Sequence, residues 1–122
     1  MGYRSDVAIA CQKNAYKKIK EAYEKGYVKP DRLLKNDPEG LIMVCFNDIK
    51  WFNGYEDIDA IEDVLNELDE GDEDDIWEAE LGYHFLRIGE DYGDVEERAN
   101  TWDIDLYFTR EIDTFGYEPL VQ

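Results

Sequence analysis

Acidic residues are distributed very unevenly along this chain of 122 residues, and this distribution restricts both its fold and its partners. Residues 1–50 contain ten Lys or Arg against seven Asp or Glu, whereas residues 51–122 contain three Arg against 24 Asp or Glu. Ionised carboxylates are costly to bury unless they are paired. The second half must therefore keep most of its acidic side chains in water, and its field should repel nucleic acid.

The composition is nevertheless that of a folded protein. Hydrophobic residues make up 43% of the chain and aromatic residues 14%, unlike disordered segments of high charge. A length of 122 residues suits one core, so we expect a single α+β domain over residues 1–122. No apolar run is long enough to span a bilayer, and the N-terminus lacks a signal-peptide pattern. Cys11 and Cys45 lie in apolar runs and are predicted to be buried thiols of a cytosolic protein.

Hydrophobic periodicity predicts two helices and five strands. Apolar residues at helical spacing indicate helices over Asn14–Lys25 and Asp57–Glu70. The predicted strands are Val7–Cys11, Arg32–Lys35, Leu41–Phe46, Trp77–Leu86 and Trp102–Thr109. A bulge is expected near Asn47-Asp48, where the third strand continues toward Trp51. The polar residues 89–100 are assigned to a loop.

This order of elements matches a ferredoxin-like β-α-β-β-α-β core with an added C-terminal strand. The topology predicts an antiparallel sheet with both helices on one face. Many domains of this kind bind RNA through aromatic side chains on the open face of the sheet. In this chain the outward positions of the last two strands carry the carboxylates Glu78, Glu80, Asp103 and Asp105. Direct nucleic-acid binding is therefore disfavoured.

A stripe of acidic residues is predicted on the outer face of the second helix, opposite its apolar face. The stripe consists of Glu56, Asp59, Asp63, Glu67 and Glu70. Like charges three and four residues apart destabilise a helix, so this pattern lowers the stability of the protein unless it serves to bind a partner. Such a stripe can imitate the phosphate groups that a basic groove is built to hold.

The candidate partner-binding residues are this stripe and the acidic run that follows it. They are Glu56, Asp59, Asp63, Glu67, Glu70, Asp72, Glu73, Asp74 and Asp75. The alternative is an ordinary solvated face, neutralised in part by lysines of the neighbouring helix, namely Lys13, Lys17 and Lys20. The sequence leaves open which of the two holds.

Motifs for other chemistry are weak. The run Asp69–Asp75 fails the EF-hand spacing for calcium, because Trp77 stands where a Glu ligand is required. Asp103, Asp105 and His84 could hold a divalent metal, although an exposed hairpin also needs polar residues at such positions. No Gly-rich phosphate loop, CxxC pair or serine nucleophile motif occurs. We therefore predict no cofactor, no metal and no catalytic residues.

The opening stretch MGYRSDVAIA, Met1–Ala10, resembles the start of small uncharacterised proteins encoded by bacteriophages and prophages. The stretches Lys50–Asp57 and Leu86–Asp91 are similar to segments of the same proteins. The resemblance implies a viral protein in the host cytoplasm and assigns no catalytic or binding residues. Small acidic phage proteins commonly act on restriction enzymes, CRISPR effectors or polymerases, whose nucleic-acid channels are basic.

Charge and resemblance together predict a phage accessory protein that is not an enzyme. It is expected to inhibit a host nucleic-acid-handling or defence complex by protein–protein contact, as an anti-CRISPR or anti-restriction DNA mimic. The expected partner is a host protein with a basic nucleic-acid-binding surface, and neither nucleic acid nor a membrane is expected to bind. One alternative is a small binding module or homodimer that acts through its sheet face or through Trp51, Phe52 and Tyr55. The other is a metal-dependent enzyme.

Overall fold

A computed structural model describes residues 4–26, 28–36, 40–51, 56–91, 93–101, 104, 107–108, 112–113 and 117–120 of the chain. The strands are β1 (Ser5–Cys11), β2 (Arg32–Asn36), β3 (Leu41–Ile49), β4 (Tyr83–Gly89), β5 (Val95–Ala99), β6 (Tyr107–Phe108), β7 (Ile112–Asp113) and β8 (Glu118–Pro119). The helices are α1 (Lys13–Lys25), α2 (Glu56–Leu68) and α3 (Glu73–Glu78). Within the described residues, no helix is long and apolar enough to cross a membrane.

The predicted α+β class and the antiparallel sheet are confirmed. Six strands form one sheet in the order β5-β4-β1-β3-β2-β8, and each neighbouring pair is antiparallel. The order of the whole sheet differs from the predicted one at both edges. The strand β5 comes from residues assigned to a loop, and the two-residue strand β8 comes from the end of the chain.

Strand β1 lies in the middle of the sheet because its residues are apolar on both faces. Successive side chains of a strand point to opposite faces. Val7, Ile9 and Cys11 pack toward the helices, whereas Ala8 and Ala10 pack on the other side. A continuous apolar run is therefore typical of a strand that is covered on both faces.

A β-bulge interrupts the pairing of β1 with β3, as predicted near Asn47-Asp48. The register passes from Val7↔Phe46 to Ser5↔Ile49, so two residues of β3, Asn47 and Asp48, lie opposite one residue of β1, Asp6. Asp48 has a φ of 55°, a left-handed conformation that Asp adopts more readily than most residues. The bulge turns the end of β3 away from a regular ladder.

Helices α1 and α2 pack on one face of the sheet, as predicted. Buried residues of α1 include Tyr16, Ile19 and Tyr23. The ring of Phe46 on β3 lies 6.0 Å from the ring of Tyr23 and 6.0 Å from that of Trp51. Ile58, Ile61 and Leu65 of α2 are buried in the same layer. Each large side chain buried there stabilises the fold by about 1.5–3 kcal/mol, which fixes both helices against the sheet.

The opposite face of the sheet is also buried. Its core consists of Ala8, Ala10, Leu34, Leu41, Met43, Cys45, Leu86 and Ile104, with Tyr117 packed against it. Ile104, from the segment after β5, has no exposed surface. The prediction of an open acidic sheet face is wrong for Glu78 and Glu80, which belong to α3 and the turn after it. Asp103 and Asp105 lie outside the described residues.

The predicted strand Trp77–Leu86 is wrong over its first half, where α3 ends and β4 has not begun. The apolar alternation suggested that Trp77 was buried, but Trp77 is 41% exposed and Ile76 is 4% exposed. The chain reverses at Glu80, whose φ is 58°, and the Leu81 N–H donates to the Ile76 carbonyl at 2.9 Å. A short helix followed by a reversal of the chain thus produced the alternation of apolar and polar residues that is typical of a strand.

Residues 89–100, predicted to form a loop, contain β5. This strand pairs with β4 from Ile88↔Val95 to His84↔Ala99. It is polar because it lies at an edge of the sheet, where charged side chains remain in water. The predicted strand Trp102–Thr109 falls largely outside the described residues. Within it, Tyr107–Phe108 pairs with Ile112–Asp113 in a separate two-stranded sheet.

Cys11 and Cys45 are buried free thiols, as predicted. They lie on opposite faces of the sheet, so they do not face each other. Burial raises the pKa of Cys11 above its usual range and raises the pKa of Cys45 to about 11. Both groups are therefore neutral packing residues at neutral pH.

Candidate partner-binding surface

Helix α2 separates its apolar and acidic residues as the sequence predicts. The buried side chains on its inner side are Ile58, Ile61, Leu65 and Leu68. On the other side Glu56, Asp63 and Glu67 are exposed, and Asp59 is half-buried. Glu70 is exposed in the turn that follows the helix. Because the apolar side is held in the core, the stripe cannot rotate out of solvent.

Helix α3 continues the acidic run after a short turn. Asp72 is its N-cap residue, and the Asp72 side chain makes no capping hydrogen bond. Asp74 and Asp75 are exposed, and Glu73 is the first residue of the helix. We use the term acidic surface for the nine candidate residues on α2, the turn and α3. They are Glu56, Asp59, Asp63, Glu67, Glu70, Asp72, Glu73, Asp74 and Asp75.

Trp77 is the one aromatic side chain of α3, and sequence reasoning had assigned it to a strand. Its side chain is 41% exposed. It lies three residues after Asp74, a spacing that places the two side chains next to each other on a helix. An exposed tryptophan beside carboxylates can stack on an arginine while the carboxylates pair with the guanidinium charge.

The lysines of α1 neutralise the acidic surface only in part. Lys18 Nζ lies 3.1 Å from Glu67 Oε1, and Lys13 Nζ lies 3.6 Å from Glu80 Oε2, outside the surface. Within the described part of the chain, Lys17 and Lys20 form no ion pair. Exposed pairs such as these contribute about 0–1 kcal/mol, so the pair between Lys18 and Glu67 does not cancel the charge of the stripe.

Arg98 on β5 occupies the centre of a polar cluster that we call the Arg98 cluster. Its Nη1 donates to Glu62 Oε2 at 2.8 Å, and its Nη2 donates to Asp69 Oδ2 at 2.6 Å. Nη2 also donates to Asn66 Oδ1 at 2.9 Å, and Nε donates to the Tyr83 hydroxyl at 3.1 Å. The cluster joins the second half of α2 to β4 and β5. Side chains that donate or accept several charged hydrogen bonds are strongly fixed.

The partners of Arg98 are themselves tied to the core. The Tyr83 hydroxyl donates to Asp69 Oδ1 at 2.6 Å, and Trp51 Nε1 donates to Glu62 Oε1 at 2.8 Å. Burial raises the pKa of Tyr83 above its usual range, and the hydrogen bond to Asp69 adds to this rise. Partial burial disfavours the charged form of Arg98, but hydrogen bonds to Asp69 and Tyr83 outweigh it and raise its pKa.

A second arginine, Arg87 on β4, pairs with carboxylates of the β4–β5 hairpin. Its Nη2 lies 2.9 Å from Asp94 Oδ1, and its Nε lies 3.1 Å from Glu96 Oε1. Nη1 also donates to Ser5 Oγ at 3.1 Å. The hydrogen bond to Asp94 raises the pKa of Arg87 despite its partial burial. These contacts explain why a strand as polar as β5 pairs with β4.

The two arginines therefore divide the acids of the second half into two groups. Arg87 and Arg98 take carboxylates that face β4 and β5, and neither of them pairs with the acidic surface. Sequence reasoning missed both clusters because their members are far apart in the chain. The sequence did contain one indication. Residues 51–122 have three Arg against 24 Asp or Glu, so each of these arginines has many possible internal partners.

His84, the single histidine, is buried, and each of its ring nitrogens lies within hydrogen-bond distance of a partner. Its Nδ1 lies 2.6 Å from the Ile104 carbonyl oxygen, and its Nε2 lies 2.6 Å from Glu97 Oε2. Nδ1 thus holds the segment after β5 against the sheet, and Nε2 contacts a carboxylate of β5 itself. Asp103 and Asp105, the other members of the predicted metal site, lie outside the described residues. Within the described ranges, no group of three or more His, Cys, Asp or Glu side chains could hold a metal ion.

Comparisons of the chain with protein-family models, with curated proteins and with solved structures give no match. The function is therefore inferred from the chain's own residues.

Proposed function

We propose that this protein is a phage-encoded accessory protein that inhibits a host nucleic-acid-handling or defence complex, of the anti-CRISPR or anti-restriction type. It binds through the acidic surface, which takes the place of nucleic acid in a basic groove of the partner. The protein acts in the host cytoplasm by protein–protein contact and does not need catalysis. The observation that carries this proposal is the division of carboxylates between internal arginine clusters and an exposed set.

The exposed set has the properties of a phosphate-like surface. In the described part of the chain, no Lys or Arg pairs with Asp63, Glu70, Asp74 or Asp75. Side chains three and four residues apart on a helix have Cβ atoms about 5–6 Å from each other, so the stripe forms a closely spaced row of negative charge that can stand in for a phosphate backbone. A basic groove would attract such a surface from a distance and would bind it more weakly as salt is added.

Trp77 supplies a feature that a purely solvated face does not need. An aromatic ring with this exposure adds apolar contact area and a cation–π partner for an arginine of the groove. Aromatic residues dominate the binding energy of many interfaces, so Trp77 is expected to anchor the contact.

The fold that presents this surface is, we propose, a ferredoxin-like core. The neighbouring strands β4, β1, β3 and β2, with α1 after β1 and α2 after β3, support this assignment. The same fold often binds RNA on its free sheet face. In this protein that face is buried under Ile104, which gives no support to the alternative of a module that binds through its sheet.

The experiment is a displacement assay. A fluorescent duplex is bound to a purified host restriction enzyme or guide-loaded CRISPR effector, and loss of anisotropy is followed as the protein is added. We expect displacement by the native protein and a loss of at least tenfold in potency for the triple variant Asp63→Lys, Glu67→Lys, Glu70→Lys.

The control is a second triple reversal with the same change of charge, Glu21→Lys, Glu24→Lys, Glu90→Lys, at exposed positions outside the acidic surface. Because Glu21 pairs with Lys25 and Glu90 accepts the Arg4 backbone N–H, both triple variants are first shown to unfold at the native urea midpoint. It should retain potency within about threefold, since it changes the overall field but not the contact. Equal losses in both triple variants would show that only net charge matters. Undiminished displacement by the first variant would contradict the proposal.

A further inference from the structure

An open cleft lies at the end of the sheet where β1 and β2 begin and β3 ends. Its volume is about 440 Å³. Its lining residues are Arg4, Lys29, Asp31, Phe46, Asn47, Asp48, Ile49 and Lys50. Asn47 and Asp48 of the β3 bulge form part of one wall.

Three cationic side chains meet in this cleft, although the protein has 31 acidic residues and only 13 Lys or Arg. Within the part of the chain that the structure describes, Arg4, Lys29 and Lys50 form no ion pair. In a molecule with a formal charge of −18, three unpaired cations gathered around one concavity are unusual. Their charges are available to a ligand of opposite sign.

The lining also contains two carboxylates, Asp31 and Asp48, so three positive and two negative charges leave a net formal charge of +1. Asp31 Oδ2 accepts the backbone N–H of Asn47 at 2.6 Å, so this carboxylate serves to fix the bulge. The backbone N–H of Asp48 donates in turn to Asp6 Oδ1 at 2.9 Å. The bulge is therefore held from both sides by carboxylates that accept its N–H groups.

The bulge also positions Arg4. The Nη1 of Arg4 donates to the backbone carbonyl of Asp48 at 3.0 Å, and the Arg4 backbone N–H donates to Glu90 Oε1 at 3.0 Å. A guanidinium has five N–H donors. Among the described residues, the other guanidinium N–H groups of Arg4 have no partner, so they can donate to an oxyanion beside the two ammonium groups.

We propose that this cleft is a binding site for a phosphate-class oxyanion, either free phosphate or the phosphate group of a larger molecule. Arg4 supplies a planar donor fork, and Lys29 and Lys50 supply point charges, a combination suited to a tetrahedral anion with several oxygens. The site is separate from the acidic surface and does not depend on the function proposed for it.

The test is a titration of ¹⁵N-labelled protein with inorganic phosphate and, separately, with a nucleoside monophosphate, at constant ionic strength adjusted with sodium chloride. We expect saturable shifts of the Asn47, Asp48 and Lys50 amide signals at millimolar phosphate. Tighter binding of the nucleoside monophosphate would identify the phosphate as part of a larger ligand. Equal affinity would identify free phosphate as sufficient.

Two charge-matched variants decide whether the cleft is responsible. Lys29→Ala with Lys50→Ala should weaken binding about tenfold, which corresponds to about 1.4 kcal/mol. Lys17→Ala with Lys20→Ala removes two lysines of α1 that form no ion pair with any described residue, and it should change affinity less than twofold. Asp31→Asn keeps an acceptor for the Asn47 N–H, removes a negative charge, and should tighten binding severalfold.

Each variant is first shown to unfold at the native midpoint, so that a loss of binding cannot come from loss of fold. Absence of saturable shifts in the native protein would overturn the proposal. Equal weakening in the two lysine variants would also overturn it, since the anion would then respond to net charge alone.

Discussion

Helix α2 and the turn that follows it carry two sets of carboxylates that have the same chemistry and opposite roles. Glu62 and Asp69 face β4 and β5, where Arg98 binds both of them. The stripe that includes Asp63 and Glu70 faces water, where no described cation pairs with either residue. Position around the helix, and not residue type, therefore decides whether a carboxylate holds the fold or remains available to a partner.

The largest expected effect comes from breaking the Arg98 cluster. Arg98→Met removes the cation and leaves Glu62 unpaired, with only 16% of its side chain exposed. Because an unpaired carboxylate in such a site is poorly solvated, we expect a loss of about 2–4 kcal/mol in the free energy of unfolding. Urea unfolding measures it, and a loss below about 1 kcal/mol would place the cluster among ordinary surface pairs.

A smaller loss is expected from Tyr83→Phe, which removes the hydroxyl that donates to Asp69 and accepts from Arg98. We expect a loss of about 1–2 kcal/mol at pH 7. A tyrosine of the unfolded chain titrates near pH 10, and the folded pKa of Tyr83 is raised above that value. Its contribution is therefore fully present below about pH 10 and falls as the pH rises further.

The pH dependence of stability distinguishes the loss of the Tyr83 hydroxyl from a simple loss of packing. Above about pH 10, the stability of the native protein should fall more steeply with pH than that of Tyr83→Phe. Tyr23, whose pKa burial also raises, is present in both proteins and does not affect the difference. Parallel stability curves for the two proteins in alkaline solution would contradict the role assigned to the hydroxyl.

The ion pair between Lys18 and Glu67 of the stripe should matter much less than the Arg98 cluster. The Lys18 and Glu67 side chains are 43% and 60% exposed. Lys18→Ala is therefore expected to change the free energy of unfolding by less than about 1 kcal/mol, and less again at high salt. A loss as large as that of Arg98→Met would show that α1 anchors the stripe as part of the fold.

The smallest effect should have the opposite sign. Asp63 lies four residues from both Asp59 and Glu67, so its charge repels two neighbours on the helix. Asp63→Asn relieves this repulsion and should raise the free energy of unfolding by about 0.2–0.5 kcal/mol at low salt. Thermal unfolding in low and high salt measures it. Destabilisation by this substitution would mean that the stripe contributes to the fold.

The elements set by local pattern could be predicted from the sequence. The helix predicted over Asn14–Lys25 begins one residue earlier, and the one predicted over Asp57–Glu70 spans Glu56–Leu68. The bulge at Asn47-Asp48 was also foreseen, because polar residues interrupt an apolar run there. These features depend on residues within a few positions of each other.

The features that were missed depend on contacts between distant residues. The strand β5 is polar and is held to β4 by Arg87, whose partners cannot be inferred from periodicity. The Arg98 cluster joins residues up to 36 positions apart, so the separation of α2 carboxylates into two sets was invisible in the sequence. The stripe itself was predictable, since it follows directly from helical spacing. Its role in binding stays a prediction.

The salt dependence of partner binding tests the central claim most directly. The constant for binding to the host enzyme or effector of the displacement assay is measured over a series of sodium chloride concentrations. It is measured for the native protein and for the variant Asp63→Lys, Glu67→Lys, Glu70→Lys. The account predicts a steep fall of the native binding constant with salt and a much shallower dependence for the variant. A binding constant that is insensitive to salt, or a slope that the substitutions do not change, would contradict it.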